Sequence, residues 1–129
     1  MRRVLVWGPP ILYMAIIFHL SSESNPLPTL TEHVWDKILH LTEYSVLALL
    51  LTRALLAERV PLLVAFLVAV LFTSVYGATD EFHQSFVPGR DSDIHDWYAD
   101  SLGASVGAIV YAGLRRYDAT AAWFSTNQR

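Results

Sequence analysis

Long apolar runs alternate along the chain with short polar connections. Four runs stand out, at residues 4–20, 38–57, 60–79 and 97–114. Each approaches the ~20 residues that carry a helix across ~30 Å of hydrocarbon. The pattern predicts an all-α fold: an integral membrane bundle of four transmembrane helices in a single domain over residues 1–129. Gly8-Pro9-Pro10 interrupts the first run and predicts a helix start or kink there, because proline removes a backbone donor. The connection at Glu58-Arg59 is so short that the second and third helices should form an antiparallel hairpin. Residues 21–36 are rich in Ser, Thr and Pro and read as an exposed connection, and Pro88-Gly89 marks a turn. The fourth run is the least apolar of the set.

Composition strengthens this reading. Hydrophobic residues make up 53% of the chain and charged residues 16%, where a soluble domain carries about 25% charged. Too little polar surface remains to cover a four-helix bundle in water. With no cysteine, disulfides and thiolate metal sites are excluded. Met1-Arg2-Arg3 before an apolar run also suits a secretory signal. No small-x-small cleavage site follows, only His19-Leu20-Ser21-Ser22-Glu23, so the first helix is read as uncleaved.

Net charge is −3, and its distribution is more informative than its size. With the N-terminus inside, Arg2, Arg3, Arg53, Arg59, Arg115, Arg116 and Arg129 fall on the cytoplasmic side and only Lys37 and Arg90 on the other. Seven against two satisfies the positive-inside rule and predicts cytoplasmic N- and C-termini in the inner (cytoplasmic) membrane. Trp35 and Trp97-Tyr98 at one edge, and Trp7, Tyr117 and Trp123 at the other, suit the two headgroup layers. Ten of the twelve acids collect at the outer ends, with only Glu58 and Asp118 inside. Acids contribute little to topology, so this asymmetry points to function.

Helical spacing assembles these acids. Asp36, His40 and Tyr44 recur every fourth residue, with Glu43 between the last two and Lys37 beside them. Thr73, Gly77, Asp80 and Gln84 share a second stripe, flanked by Glu81 and His83. Asp96, Asp100, Gly103 and Gly107 form a third, whose Gly-x-x-x-Gly spacing lets helix backbones approach closely. A carboxylate facing lipid is costly. The three stripes should therefore turn inward and form an outward-facing polar pocket built from the last three helices and the 86–96 loop.

Several chemistries fit. His40, His83 and His95 among carboxylates suit a divalent metal, but no His-Glu-x-x-His is present, and neither metal nor cofactor is expected. His40 with Asp80, Glu81 or Asp96 could perform acid–base catalysis on an envelope lipid or glycan, although no nucleophile motif accompanies them. A binding site for a cationic or hydroxylated ligand would use Asp36, Lys37, His40, Glu43, Tyr44, Asp80, Glu81, Gln84, Arg90, Asp96 and Asp100. In it, Arg90 either grips an anionic group or pairs with Asp91 or Asp93. The polar residues could also serve only to hold the helices together. Expected partners are the lipid bilayer and a lipid-linked or cell-wall component, with no nucleic acid. Transport is disfavoured because the inner halves carry no polar path.

Two blocks carry a resemblance: Asp36-Lys37 followed by His40 and Tyr44, and Asp80-Glu81-x-x-Gln84-x-Phe86-x-Pro88-Gly89-Arg90 followed by Asp96 and the Gly103/Gly107 helix. In order and spacing, from about residue 18 to 107, the chain resembles the VanZ-like family of small polytopic membrane proteins. Many members have Asn where this chain has Asp100. The resemblance implies a cell-envelope protein of a family named for a member linked to teicoplanin (glycopeptide) resistance. It implies no reaction, since the family's activity is not established in general.

Overall fold

Each apolar run winds into a helix longer than the run itself. A computed structural model describes residues 1–24, 34–90 and 92–127, the side chains of 34–35 and 118–127 excepted. The connection at 25–33, Trp35, Asp91, Trp123 and Arg129 therefore lie outside the described residues or side chains. The elements are α1 (Arg2–Ser21), α2 (Val34–Ala57), α3 (Leu62–Gln84) and α4 (Ile94–Asn127). The polar ends extend the helices beyond their apolar windows because a helix leaving hydrocarbon can continue into water. Asp36, Lys37, Asp80, Gln84 and Asp96 thus sit on helix, with fixed directions.

α1 does not begin at the Gly8-Pro9-Pro10 interruption; it starts at Arg2 and runs through both prolines. Two intrahelical donors are lost there, a defect that membrane helices tolerate when neighbours pack against it. Pro10 is fully buried. The expected hairpin forms between α2 and α3. Val60 N–H reaches the Leu55 carbonyl and Arg59 N–H that of Leu56, both at 3.1 Å. Arg59 itself is left-handed, with φ of 65°, the conformation that ends a helix in this motif. Pro61 then opens α3.

α1, the 36–57 portion of α2, and α3 are long and apolar enough to cross a membrane. Their outward faces present Leu12, Ile16, Leu63, Leu67, Leu71 and Val75 without cover. A water-soluble monomer does not display apolar surface on this scale; lipid accepts it at no cost. The chain is a multi-pass membrane protein. α4 falls outside that set because Asp96, Asp100 and its glycines dilute its apolar content. Its 34 residues reach ~50 Å, and it runs the full length of the bundle.

Glycine sets how α4 meets α2. A Cβ at Gly103 would run into the Leu41 carbonyl, and one at Gly107 into that of Ser45. Ser45 Oγ completes the seam by donating to the Gly103 carbonyl at 2.9 Å. α3 joins from the other side, with Trp97 Nε1 donating to the Ser74 carbonyl at 3.0 Å and Ser74 and Ser101 hydroxyls 2.7 Å apart. The half of the bundle nearer the α2–α3 hairpin is filled by small and aliphatic side chains, among them Ala48, Leu51, Ala54, Ala65, Ala69 and Ala108.

Candidate functional site

The three polar stripes do face one another. His40 and Tyr44 on α2, Asp80, Glu81 and Gln84 on α3, and Asp96 and Asp100 on α4 are all buried. His40 stands at the centre. Its Nδ1 lies 2.9 Å from Asp100 Oδ1, and Tyr44 stacks parallel to its ring one turn further in, at 6.3 Å between centroids. The fourth-residue spacing of Asp36, His40 and Tyr44 produces this column. Asp100 is fully buried, and Gly77 makes its room: a Cβ there would lie 2.7 Å from Asp100 Oδ2.

Two different surroundings flank His40. Toward α4 the polar groups are bonded to one another. Lys37 Nζ reaches Asp96 at 2.5 Å and Asp93 at 3.0 Å, and Glu81 Oε2 accepts the Asp93 N–H at 2.9 Å. Asp93 also caps α4 by accepting the His95 N–H at 2.9 Å. The His95 backbone and ring, then Lys37, hold the Asp93 carboxyl well below the usual carboxylate range. A depressed pKa stabilises the folded form above the ordinary carboxylate pKa, and that contribution is lost only as pH falls toward the folded value.

Toward α1 there is a cavity of about 270 Å³. It is lined by Tyr13, Ile17, Leu20 and Ser21 of α1, by Asp36, Leu39, His40, Thr42 and Glu43 of α2, by Asp80 and Gln84 of α3, and by Arg90. α1 therefore supplies much of a pocket expected from the last three helices, whereas Lys37, Tyr44, Glu81, Asp96 and Asp100 do not line it. Nothing in the sequence marks this role, because Ile17 and Leu20 look like any lipid-facing residues. Among the described residues Arg90 does not pair with Asp93, and the alternative partner Asp91 lies outside them. It donates to the carbonyls of Leu20 at 3.0 Å and Glu23 at 3.1 Å, which end α1. His83 binds the same end, stacked on Phe18 at 4.6 Å with Nε2 3.0 Å from Ser22 Oγ.

Several buried oxygens have no hydrogen-bond partner among the described residues: Tyr44 Oη, Asp80 Oδ1, Glu81 Oε1 and Asp100 Oδ2. Native proteins leave few such groups, because an unmet buried donor or acceptor is costly. Ser21 Oγ, Thr73 Oγ1 and Glu58 Oε1 are in the same state elsewhere in the bundle. Two groups of three have donor atoms close enough for one metal ion: Asp36, His40 and Asp96, and His40, Glu81 and Asp100.

A family model described as VanZ/LLP1 matches residues 7–115, which includes every cavity and network residue above. The chain belongs to the VanZ/LLP1 family. No curated protein and no solved structure matches it. In this VanZ/LLP1 protein the two blocks Asp36–Tyr44 and Asp80–Arg90, separate in sequence, form adjoining walls around His40.

Proposed function

We propose that this protein binds an amphiphilic, lipid-linked component of the cell envelope in the cavity between α1, α2 and α3, on the outer side of the cytoplasmic membrane. The observation that carries this reading is the mixed lining of the cavity, acidic and amide groups beside aliphatic side chains. The acids, His40 and Gln84 suit a hydroxylated or amine-bearing head, while Ile17, Leu20 and Leu39 suit the first carbons of its chain. Asp36, Asp80, Gln84 and Arg90 are its binding residues. Glu81, Asp96, Asp100 and Lys37 hold His40 and the α4 end in register, and Tyr44 supports the imidazole ring from below.

In this reading α4 also crosses the membrane, and both termini are cytoplasmic. Two contacts support it. α4 meets Lys37 at one end through Asp96, and at the other its Ala112 and Arg116 line one cavity with Leu56, Val60 and Leu62 around the α2–α3 hairpin. Because the chain lacks cysteine, single substitutions report sidedness cleanly. Ser85→Cys should react with a membrane-impermeant maleimide in intact cells, and Glu58→Cys only after permeabilisation. The reverse pattern inverts the topology.

Native mass spectrometry of protein released from membranes tests the ligand. The wild type should carry a co-purifying amphiphile, and Asp80→Asn should retain roughly tenfold less while accumulating normally. Equal retention by the two proteins rejects the cavity as the site. A second reading, catalysis, is favoured by the His40–Asp100 contact, which would fix the imidazole tautomer and aim its other nitrogen at a bound head. Product formation from envelope lipids by wild type but not by His40→Gln would establish it.

A further inference from the structure

The network on the α4 side of His40 contains more acid than its cations can answer. Lys37 is held by Asp93 and Asp96, and Arg90 by the carbonyls that end α1. Deeper in, Glu81 and Asp100 meet only one potential cation among the described residues, His40. Each of these three residues comes from a different helix and is less than a tenth exposed, at 6%, 0% and 7% respectively. One donor atom from each lies within 4.8 Å of the other two. Glu81 Oε1 and Asp100 Oδ2 are buried there with no partner among the described residues.

We propose that His40, Glu81 and Asp100 bind a single divalent metal ion that ties α2, α3 and α4 together. The site goes beyond the amphiphile cavity and shares only His40 with it. The His40 Nδ1 and Asp100 Oδ1 atoms, 2.9 Å apart, need separate by only about half an ångström to become neighbouring ligands on a tetrahedral ion with bonds of about 2.1 Å. The ion takes the place of the hydrogen now shared by those two atoms. The Glu81 carboxylate is already oriented, because its other oxygen accepts the Asp93 N–H, and such outer contacts tune metal affinity. One imidazole with two carboxylates suits zinc or manganese. Calcium, which takes 6–8 oxygens, is poorly matched. The outer group of Asp36, His40 and Asp96 is the weaker candidate, since Lys37 already occupies Asp96.

The test uses the full-length protein in detergent, treated with a chelator that is then removed. Equilibrium dialysis against zinc or manganese with elemental analysis should give one ion per chain, with a matching rise in Tm. Glu81→Gln and Asp100→Asn, which keep side-chain shape, should weaken uptake roughly tenfold or more and abolish the rise. Asp36→Asn should leave both unchanged. Substoichiometric uptake by the wild type, or undiminished uptake by a Glu81→Gln protein whose metal-free Tm matches wild type, overturns the site. Amphiphile retention by the same metal-free wild type separates the two readings. If it persists while no metal binds, the ion site alone fails; if it disappears in all conditions, the cavity reading fails.

Discussion

The outer and inner halves of this bundle use the same helices to opposite ends. Inside the inner half, Ala48, Leu51, Ala54, Ala65, Ala69 and Ala108 meet without a charge among them. In the outer half His40, Asp80, Glu81, Asp96 and Asp100 are buried, and Asp80 Oδ1, Glu81 Oε1 and Asp100 Oδ2 have no partner among the described residues. Apolar packing would have held the helices together in both halves, and replacing buried ion pairs with hydrophobic residues is often neutral or stabilising. Packing alone does not require the charges of the outer half. The contrast teaches that buried charge and apolar packing are spatially divided in this protein, with the seam of α2 and α4 common to both.

Breaking that seam should have the largest effect. Gly107→Leu places a side chain against the Ser45 backbone, which cannot yield as a flexible side chain would. It should destabilise the bundle by about 3 kcal/mol or more and deplete the folded protein in membranes. Gly113→Leu on the same helix meets nothing within 4 Å and should accumulate normally. Similar losses from both would mean that close α2–α4 approach is not what glycine provides.

The outer half can be broken more selectively. His40→Ala strands fully buried Asp100 and should cost about 3–5 kcal/mol, read as a fall in Tm in detergent. Replacing Asp100 as well should recover most of that loss; an unchanged deficit would show that the pair itself is not the source. The smallest effect is expected for Asp100→Asn. It keeps an oxygen for His40 and removes the buried charge, so stability should change by within about 1 kcal/mol. A large loss there would make the outer charges structural and erase the division between the halves.

Much of this arrangement was legible before any coordinates. Asp36, His40 and Tyr44 repeat at helical spacing, so one face had to carry all three, and the cost of exposing acids to lipid turned that face inward. Gly103 and Gly107 likewise announced a close approach, although not which helix approached. Other features left no trace in the pattern. Arg90 binds main-chain carbonyls, which every residue possesses, so its target could not be read from side-chain types. Ile17 and Leu20 line a cavity with side chains indistinguishable from those facing lipid. The helix start offered at Gly8-Pro9-Pro10 did not occur, because local propensity favours a break there while a membrane makes an interrupted helix preferable to exposed backbone.

The two hydrogen bonds from Arg90 also bear on how the protein is made. They join residues 67 and 70 positions apart, and His40 waits 60 positions for Asp100. A ribosome delivering the chain from its N-terminus therefore releases α1, α2 and α3 before the groups that complete them exist. During that interval the end of α1 lacks its arginine and the imidazole lacks its carboxylate. The last helix closes the bundle, and a chain truncated before Arg90 would reach the membrane with His40 missing Asp100 and Lys37 missing Asp93 and Asp96.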